Sequence, residues 1–306
     1  MKKIKFIDLP STLESPVLEI CGMLGFEITP DAETNILVTG GSSLGIAAKS
    51  GEITITYKKQ NEIYRALSLL PRFFNDGVEL SESALYDTLC YMADMSRNAV
   101  YNIETAKRMI RYLAIMGYDS LMLYTEDTYE IPKYKYFGHM RGRFTEAELK
   151  EIDDYAFSFG IEVIPCVQTL AHLSTAIRWP DLGAFKDTDD ILLVGDEKTY
   201  EFVDAVLAQC SKCFRSRRIH LGMDEAHSLG LGKFLSKFGY KKASDIMIQH
   251  LKRVVPMCEK YGLKPMIWSD MFFRMAFNGQ YYVDSGEVPP DVVSKVPEGL
   301  TLVYWD

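Results

Sequence analysis

The sequence predicts an α/β protein: a (β/α)8 (TIM) barrel of which about six strands are present, preceded by a small α+β domain. Three observations carry that prediction. From residue 79 onward, apolar strand-like runs alternate with helical patterns. Each of those runs ends in polar or aromatic residues. Before residue 79 the pattern differs, with alternating or apolar runs and one clear helix. The expected division is therefore 1–78 and 79–306.

In the first segment, "NILVTGG" and "GEITITYK" alternate or run apolar as strands do. "NEIYRALSLLPRFF" follows with apolar residues at helical spacing and a stop near Pro71. "VTGGSSLGIA", Val38 to Ala47, resembles the glycine-rich loop of short-chain dehydrogenases. That chemistry needs a helix directly after the loop, with its N-terminus on the pyrophosphate. Here "EITITY" begins too soon for a helix to fit, so a hairpin is expected and no cofactor. The Tyr-x-x-x-Lys of "YEIPK" contains Pro132, which disfavours a helix face.

In the second segment, "LCYMADMS" is the first strand and "NIETAKRMIRYLAIMG" the helix after it. "DSLMLYTED" is the second strand. The helix "FTEAELKEIDDYAFSFG" then opens on a Thr cap, with Glu three residues on, and closes at Gly160. "IEVIPCVQT", "RIHLGMDE", "LKPMIWSD" and "LTLVYWD" supply the third to sixth strands. Apolar strands in this alternation mean a parallel sheet covered on both faces. The stretch falls short of the roughly 250 residues of a complete barrel. Six strands leave two open edges, so the chain alone is expected to be nearly inactive and prone to form a homo-oligomer.

Composition narrows the function. The 306 residues are 47% hydrophobic and 25% charged, enough for a real core. A net charge of −8 disfavours nucleic-acid and anionic-membrane partners, which need clustered Lys and Arg. No run approaches the 18 or so apolar residues of a membrane span, and the start lacks a signal-peptide core. The six cysteines are scattered; the lone pair Cys210 and Cys213 lies in a helical pattern without the further ligands zinc would need. Free thiols without a leader suggest the cytoplasm.

The strand ends carry the chemistry. They bring Asp94 with Arg97, Glu126 with Asp127, and Gln168 with His172; then Asp224 with Glu225, Trp268 with Asp270, and Trp305 with Asp306. In a barrel such ends share one face, where active sites sit, although acids there also cap helices. Asp224 and Glu225 are adjacent, and adjacent residues leaving a strand point in different directions. Ordinary glycosidases set two carboxyls across the scissile bond, generally from different strands. An adjacent pair fits a substrate that supplies its own nucleophile: one acid protonates the leaving oxygen and the other holds the attacking group.

These residues resemble family 20 of the glycoside hydrolases, the β-N-acetylhexosaminidases. "HLGMDE" matches that family's His-x-Gly-x-Asp-Glu, "DMSR" its Asp-x-Ser-Arg, and "PCVQTLAH" its Pro-x-x-x-Thr-x-x-His. "MIWSD" and "VYWD" bring the tryptophans of the fifth and sixth strands. The resemblance implies removal of terminal β-linked N-acetylhexosamine from a glycan or oligosaccharide, without metal or cofactor. It implies Glu225 as general acid and base, and Asp224 holding the acetamido N–H and the oxazolinium. His172 would partner Glu225, backed by Glu126 or Asp127. Arg97 would hold sugar hydroxyls. Trp268 and Trp305 would wall the acetamido methyl, with Asp306 beside them in the substrate pocket. A sugar-binding fragment without turnover is the alternative; a metal-dependent hydrolase would need a His-x-His that "YMADMS" lacks.

Sequence departs from that pattern at Gln168, where an acid is usual, and at Glu126, where Asp is usual. His220 reads as a packing residue and Trp179, before Pro180, as structural. Tyr134 and Tyr136 fit either outer sugar subsites or loop packing.

Overall fold

The computed structural model describes residues 2–75 and 77–305. Its strands are β1 (Lys2–Ile7), β2 (Phe26–Ile28), β3 (Asn35–Gly40), β4 (Leu44–Lys49), β5 (Glu52–Tyr57) and β6 (Glu79–Glu82), then β7 (Cys90–Asp94), β8 (Ser120–Glu126), β9 (Glu162–Val167), β10 (Arg218–His220), β11 (Lys264–Trp268) and β12 (Thr301–Val303). The helices are α1 (Ser11–Leu24), α2 (Asn61–Leu69), α3 (Ile103–Met116), α4 (Glu146–Ser158), α5 (Ser174–Ile177), α6 (Pro180–Gly183), α7 (Glu197–Cys213), α8 (Lys233–Phe238), α9 (Ala243–Lys260), α10 (Asp270–Ala276) and α11 (Pro290–Val293). No described helix is long and apolar enough to cross a membrane.

The first sheet runs β2-β1-β3-β5-β4-β6. Its glycine-rich segment forms the end of β3 and the start of β4, and no helix follows. β4 and β5 instead pair antiparallel, with Lys49 opposite Glu52. Ser50 and Gly51 between them both have positive φ, 52° and 80°. That is the demand of a two-residue turn matched to strand twist. β6 pairs antiparallel with β4, so this sheet extends to Glu82, beyond residue 78 where the sequence pattern changes.

The second sheet is parallel, with order β12-β11-β10-β9-β8-β7. All six expected strands are present, each beside its sequence neighbour: a barrel-type sheet of six strands. β8 is buried at every residue, as a strand covered on both faces must be. α4 opens on the expected reciprocal cap: Glu148 N donates to Thr145 Oγ1 at 3.2 Å and Thr145 N to Glu148 Oε2 at 2.8 Å. Cys210 and Cys213 lie buried on α7, and no disulfide joins any of the six cysteines.

Two compact units emerge: Met1–Met92 with Tyr101–Leu121 and Glu151–Val163, and Ala93–Val100 with Met122–Lys150 and Ile164–Asp306. The C-terminal ends of the second sheet's strands belong to the second unit.

Candidate active site

The regular part of β10 lasts only three residues. The backbone beyond it departs sharply from strand geometry, with positive φ at Gly222 (71°), Met223 (70°) and Glu225 (51°). It stays in register with its neighbours, because Thr169 N donates to Leu221 O at 3.1 Å and Trp268 N to Gly222 O at 3.2 Å. Gly222 admits no side chain: a Cβ there would stand 2.0 Å from Gln168 Oε1. This turn separates the two acids. Asp224 points inward and is largely buried, whereas the Glu225 side chain remains about half exposed.

A connected polar chain fixes Asp224. Gln168 Oε1 accepts from Met223 N at 3.1 Å, which orients its amide. Gln168 Nε2 then donates to Asp224 Oδ1 at 2.9 Å and to the Tyr124 hydroxyl at 3.0 Å. An acid at position 168 would set a second carboxylate against Asp224; the amide donates to it instead. The Tyr124 hydroxyl donates to Glu126 Oε1 at 3.3 Å, and Arg97 Nη1 donates to the same oxygen at 2.6 Å. Burial pushes the Glu126 carboxyl up, against the charges of Arg97 and His172.

His172 stands between the two central acids. Its Nε2 lies 3.1 Å from Asp224 Oδ2 and 3.5 Å from Glu225 Oε2, close to both without hydrogen-bond alignment to either. The Asp224 carboxylate lifts the imidazole above its ordinary value although burial works against this. Burial opposes ionisation of Asp224, yet His172 and Gln168 together hold its carboxyl below the usual range. An ionised Asp224 beside a readily protonated His172 is the result.

The two acids offered by β8 separate in the same way. Glu126, at φ 46°, faces Arg97 and Tyr124 and shares its field with His172. Asp127 is buried and committed to Arg141 Nε at 3.1 Å, which ties the following loop to the strand end. Trp268 and Trp305 meet edge to face with centroids 5.2 Å apart, and Trp268 also packs on the His220 ring at 4.4 Å. His220 is fully buried and accepts from Gly222 N at Nδ1, so it supports the turn from beneath. Asp306 lies outside the described residues.

Three contributors escaped the sequence reading. Tyr124 sits two residues before Glu126, a spacing that places both on one strand face and could have been noticed. Asp270, noted only as a strand-end acid, is fully buried and accepts from Glu225 N at 3.0 Å, with Arg274 Nε 3.3 Å away. Tyr281 brackets Trp305, accepting from its N at 3.1 Å and donating to its O at 2.7 Å; no local pattern announces a loop residue of this kind.

A sequence profile of glycosyl hydrolase family 20, catalytic domain, matches residues 90–293. Hexosaminidase D of Bos taurus is 26% identical over 208 residues, covering 62% of this chain and 55% of that protein. A probable beta-hexosaminidase of Arthroderma benhamiae is 24% identical over 322 residues, covering 90% of this chain and 50% of that one. The chain spans about half the length of these curated relatives. Among solved structures, the GH20 exo-β-N-acetylglucosaminidase of Vibrio harveyi in complex with N-acetylglucosamine superposes with a TM-score of 0.76 at 15% identity, over 99% of this chain and 54% of that one. The GH20 β-N-acetylhexosaminidase of Streptomyces coelicolor A3(2) gives 0.75 at 20% identity, over 99% and 65%.

Proposed function

We propose, from the premise that the chain belongs to glycosyl hydrolase family 20, that its strand-end site removes terminal β-linked N-acetylhexosamine, GlcNAc or GalNAc, with retention and with help from the substrate itself. The observation that carries this reading is the division between Asp224 and Glu225. They are neighbours in sequence, yet one is buried, held and ionised, and the other reaches toward solvent.

Asp224 would accept the acetamido N–H and so aim the acetamido carbonyl oxygen at the anomeric carbon. As the glycosidic bond breaks, that oxygen bonds to carbon and a cyclic oxazolinium forms, whose positive charge Asp224 stabilises. Glu225 would give its proton to the departing oxygen, then take one from the water that opens the ring. His172, flanked by both acids and by the field of Glu126, would hold the two carboxylates in their roles. Arg97, whose guanidinium supplies only donors, suits sugar hydroxyl oxygens. Trp268 and Trp305 would cover the acetamido methyl. Asp127 would act as the anchor of the loop after β8. Six cysteines without a disulfide among them fit a reducing cytoplasm.

A thiazoline analogue of the cyclised intermediate tests the assignment. It should bind the wild-type chain and lose most of its affinity in Asp224→Ala, while circular dichroism shows the variant folded. Undiminished binding to Asp224→Ala would overturn the role of this acid. In a form whose barrel is closed by the two further strands, tight thiazoline binding with no release of phenol from a chromogenic N-acetylglucosaminide would favour a sugar-binding module over an enzyme.

A further inference from the structure

We propose that Arg141 is a positioning residue for substrate binding: its guanidinium clamps the chain on both sides of Arg97 and so sets the affinity of the site for the sugar that Arg97 holds. The proposal rests on the hydrolase reading above and deepens it by naming a residue that acts through Arg97.

The loop after β8 delivers Arg141. It returns to its own strand end, because Phe144 N donates to Thr128 O and Glu130 N to Phe144 O, both at 2.9 Å. Aromatic packing holds the body of the loop: Tyr134 and Phe137 lie on Phe202 with centroids 5.3 and 5.6 Å apart, and Tyr136 stacks on Trp179 at 5.4 Å. Its last part turns sharply, with φ of 67° at Gly138, 61° at Met140 and 65° at Gly142. Gly138 admits no side chain, since a Cβ there would stand 2.2 Å from Asp127 O. Met140 lacks the freedom of glycine, so its conformation persists only where neighbouring contacts maintain it. Arg141, between Met140 and Gly142, supplies such contacts.

Its three nitrogens reach three different residues. Nε donates to Asp127 Oδ1 at 3.1 Å, Nη1 to Asn98 Oδ1 at 2.8 Å, and Nη2 to Ser96 O. A planar fork of donors suits this task, and the Arg141 side chain is only 13% exposed. Ser96 and Asn98 are the two neighbours of Arg97. From the strand side, Asp94 Oδ1 accepts from Ser96 N at 2.8 Å and from Ser96 Oγ at 2.7 Å. Asn98 lies at φ 63°, a region that asparagine tolerates well. Anchoring the loop after β8 does not require the bonds to residues 96 and 98, because the aromatic packing and the Asp127 bond already do that. These two bonds instead cross to the loop after β7, one on each side of the residue assigned to the sugar. Arg97 meets Glu126 Oε1 at 2.6 Å, yet its side chain is 56% exposed. A long side chain in water keeps its direction poorly unless its backbone is fixed. Fixing it beforehand reduces the ordering that remains to be done when the sugar binds.

A double-mutant cycle on thiazoline affinity, measured calorimetrically, tests the clamp. The thiazoline retains the ring hydroxyls that Arg97 would meet. Arg97→Ala should weaken its binding. Arg141→Ala should weaken it by roughly three- to thirtyfold when Arg97 is present, and by less than about twofold in the Arg97→Ala background. Arg141→Lys keeps a charge beside buried Asp127 but loses the fork, so it should stay folded and show most of the loss. Asn98→Gly keeps access to the left-handed backbone and removes one acceptor; it should weaken binding by roughly two- to threefold. Asn98→Asp retains the acceptor and should bind as the wild type does. An Arg141→Ala effect of the same size in both backgrounds would make Arg141 a general support of the β8 end and overturn the clamp. Wild-type affinity in Arg141→Lys and Arg141→Ala would overturn it as well. If the wild-type chain does not bind the thiazoline, the hydrolase reading fails and the clamp with it. If the wild type binds, Asp224→Ala does not and the Arg141 variants are indifferent, the clamp alone is wrong.

Discussion

The two six-stranded sheets both contain residues other than glycine at positive φ, but for different reasons. In the first sheet Ser50, at 52°, sits beside Gly51 in a two-residue hairpin that requires that conformation of any sequence. At the ends of the second sheet Glu126, His172, Met223 and Glu225 lie at 46°, 53°, 70° and 51°. No hairpin demands it there. Each such residue costs about 1–3 kcal/mol and persists only where surrounding contacts hold it. Those contacts are visible: Glu126 to Arg97 and Tyr124, Met223 N to Gln168, Glu225 N to Asp270. The first region spends its unusual backbone on reversing the chain, the second on aiming side chains. One is then expected to govern stability and the other chemistry.

The largest effect that could break this contrast is a crossed pair of substitutions. In an active form with a closed barrel, the form in which every kcat below is compared, Glu225→Gln should reduce kcat on an N-acetylglucosaminide by roughly 10²- to 10⁴-fold, with less damage to the cleavage step for a very good leaving group. Its melting temperature should hardly move. Ile55→Ala, in the fully buried interior of β5, should cost about 2–5 kcal/mol of stability while leaving kcat unchanged below its melting point. A large fall in kcat for folded Ile55→Ala would show that the two regions are not separable in this way.

Next in size is Asp270. Removing its side chain leaves the Glu225 amide without its acceptor and Arg274 without its counter-charge. Asp270→Ala should therefore let Glu225 drift and lower kcat by up to about 10²-fold, although Asp270 does not reach solvent. Asp270→Asn retains an oxygen acceptor and should recover much of the rate. Wild-type kcat in Asp270→Ala would show that the positive φ of Glu225 is held by something else.

Acid provides a third contrast. All five histidines lie at or beyond His139, so the first sheet has none. His220 and His250 are buried, and desolvation pulls both imidazoles down to about 4. Their native pKa lies below the unfolded one, so the stability at stake is fully present above about pH 6.5. It is lost as pH falls from there toward 4, because the unfolded chain binds the protons first. Each should remove on the order of 3 kcal/mol across that window. His250 Nε2 contacts Thr169 O at 3.0 Å, a bond that an amide can replace. In urea titrations His250→Gln should flatten the loss of stability between pH 6.5 and 4. Hydrogen exchange near pH 4.5 should open α9 and the second sheet before β3 and β5; the reverse order would count against this assignment.

Much of the second region was legible because its signals are local. Six apolar runs at regular spacing gave six parallel strands, and Thr145 with Glu148 announced a helix start that the structure contains. The adjacency of Asp224 and Glu225 was visible as well. What stayed hidden depends on long-range pairing. Asp270 meets Glu225 across 45 residues and Gln168 meets Asp224 across 56, and no periodicity encodes either. The different surroundings of Glu126 and Asp127 could not be read, because they turn on the φ of Glu126 and on Arg141, fourteen residues beyond Asp127. β6 was missed as part of the first sheet because its four residues carry only half-buried alternation.

The smallest effect probes the first region's unusual residue directly. Ser50 is exposed, with φ 52°, and begins the turn that joins β4 to β5. Its hydroxyl side chain gains nothing special from the left-handed region, whereas asparagine adopts that region at lower cost and heads the preferred sequence Asn-Gly for this turn. Gly51 already occupies the second position at 80°. Ser50→Asn should therefore raise stability by a few tenths of a kcal/mol, up to about 1. The register of Lys49 opposite Glu52 should be unchanged, and so should kcat. The same kind of relief is not available at the strand ends, where Glu126, His172 and Glu225 combine the unusual backbone with side chains of the proposed site. If Ser50→Asn is destabilising, the hairpin is not limited by backbone preference at this position. If it alters kcat, the turn communicates with the site and the division of labour between the two sheets does not hold.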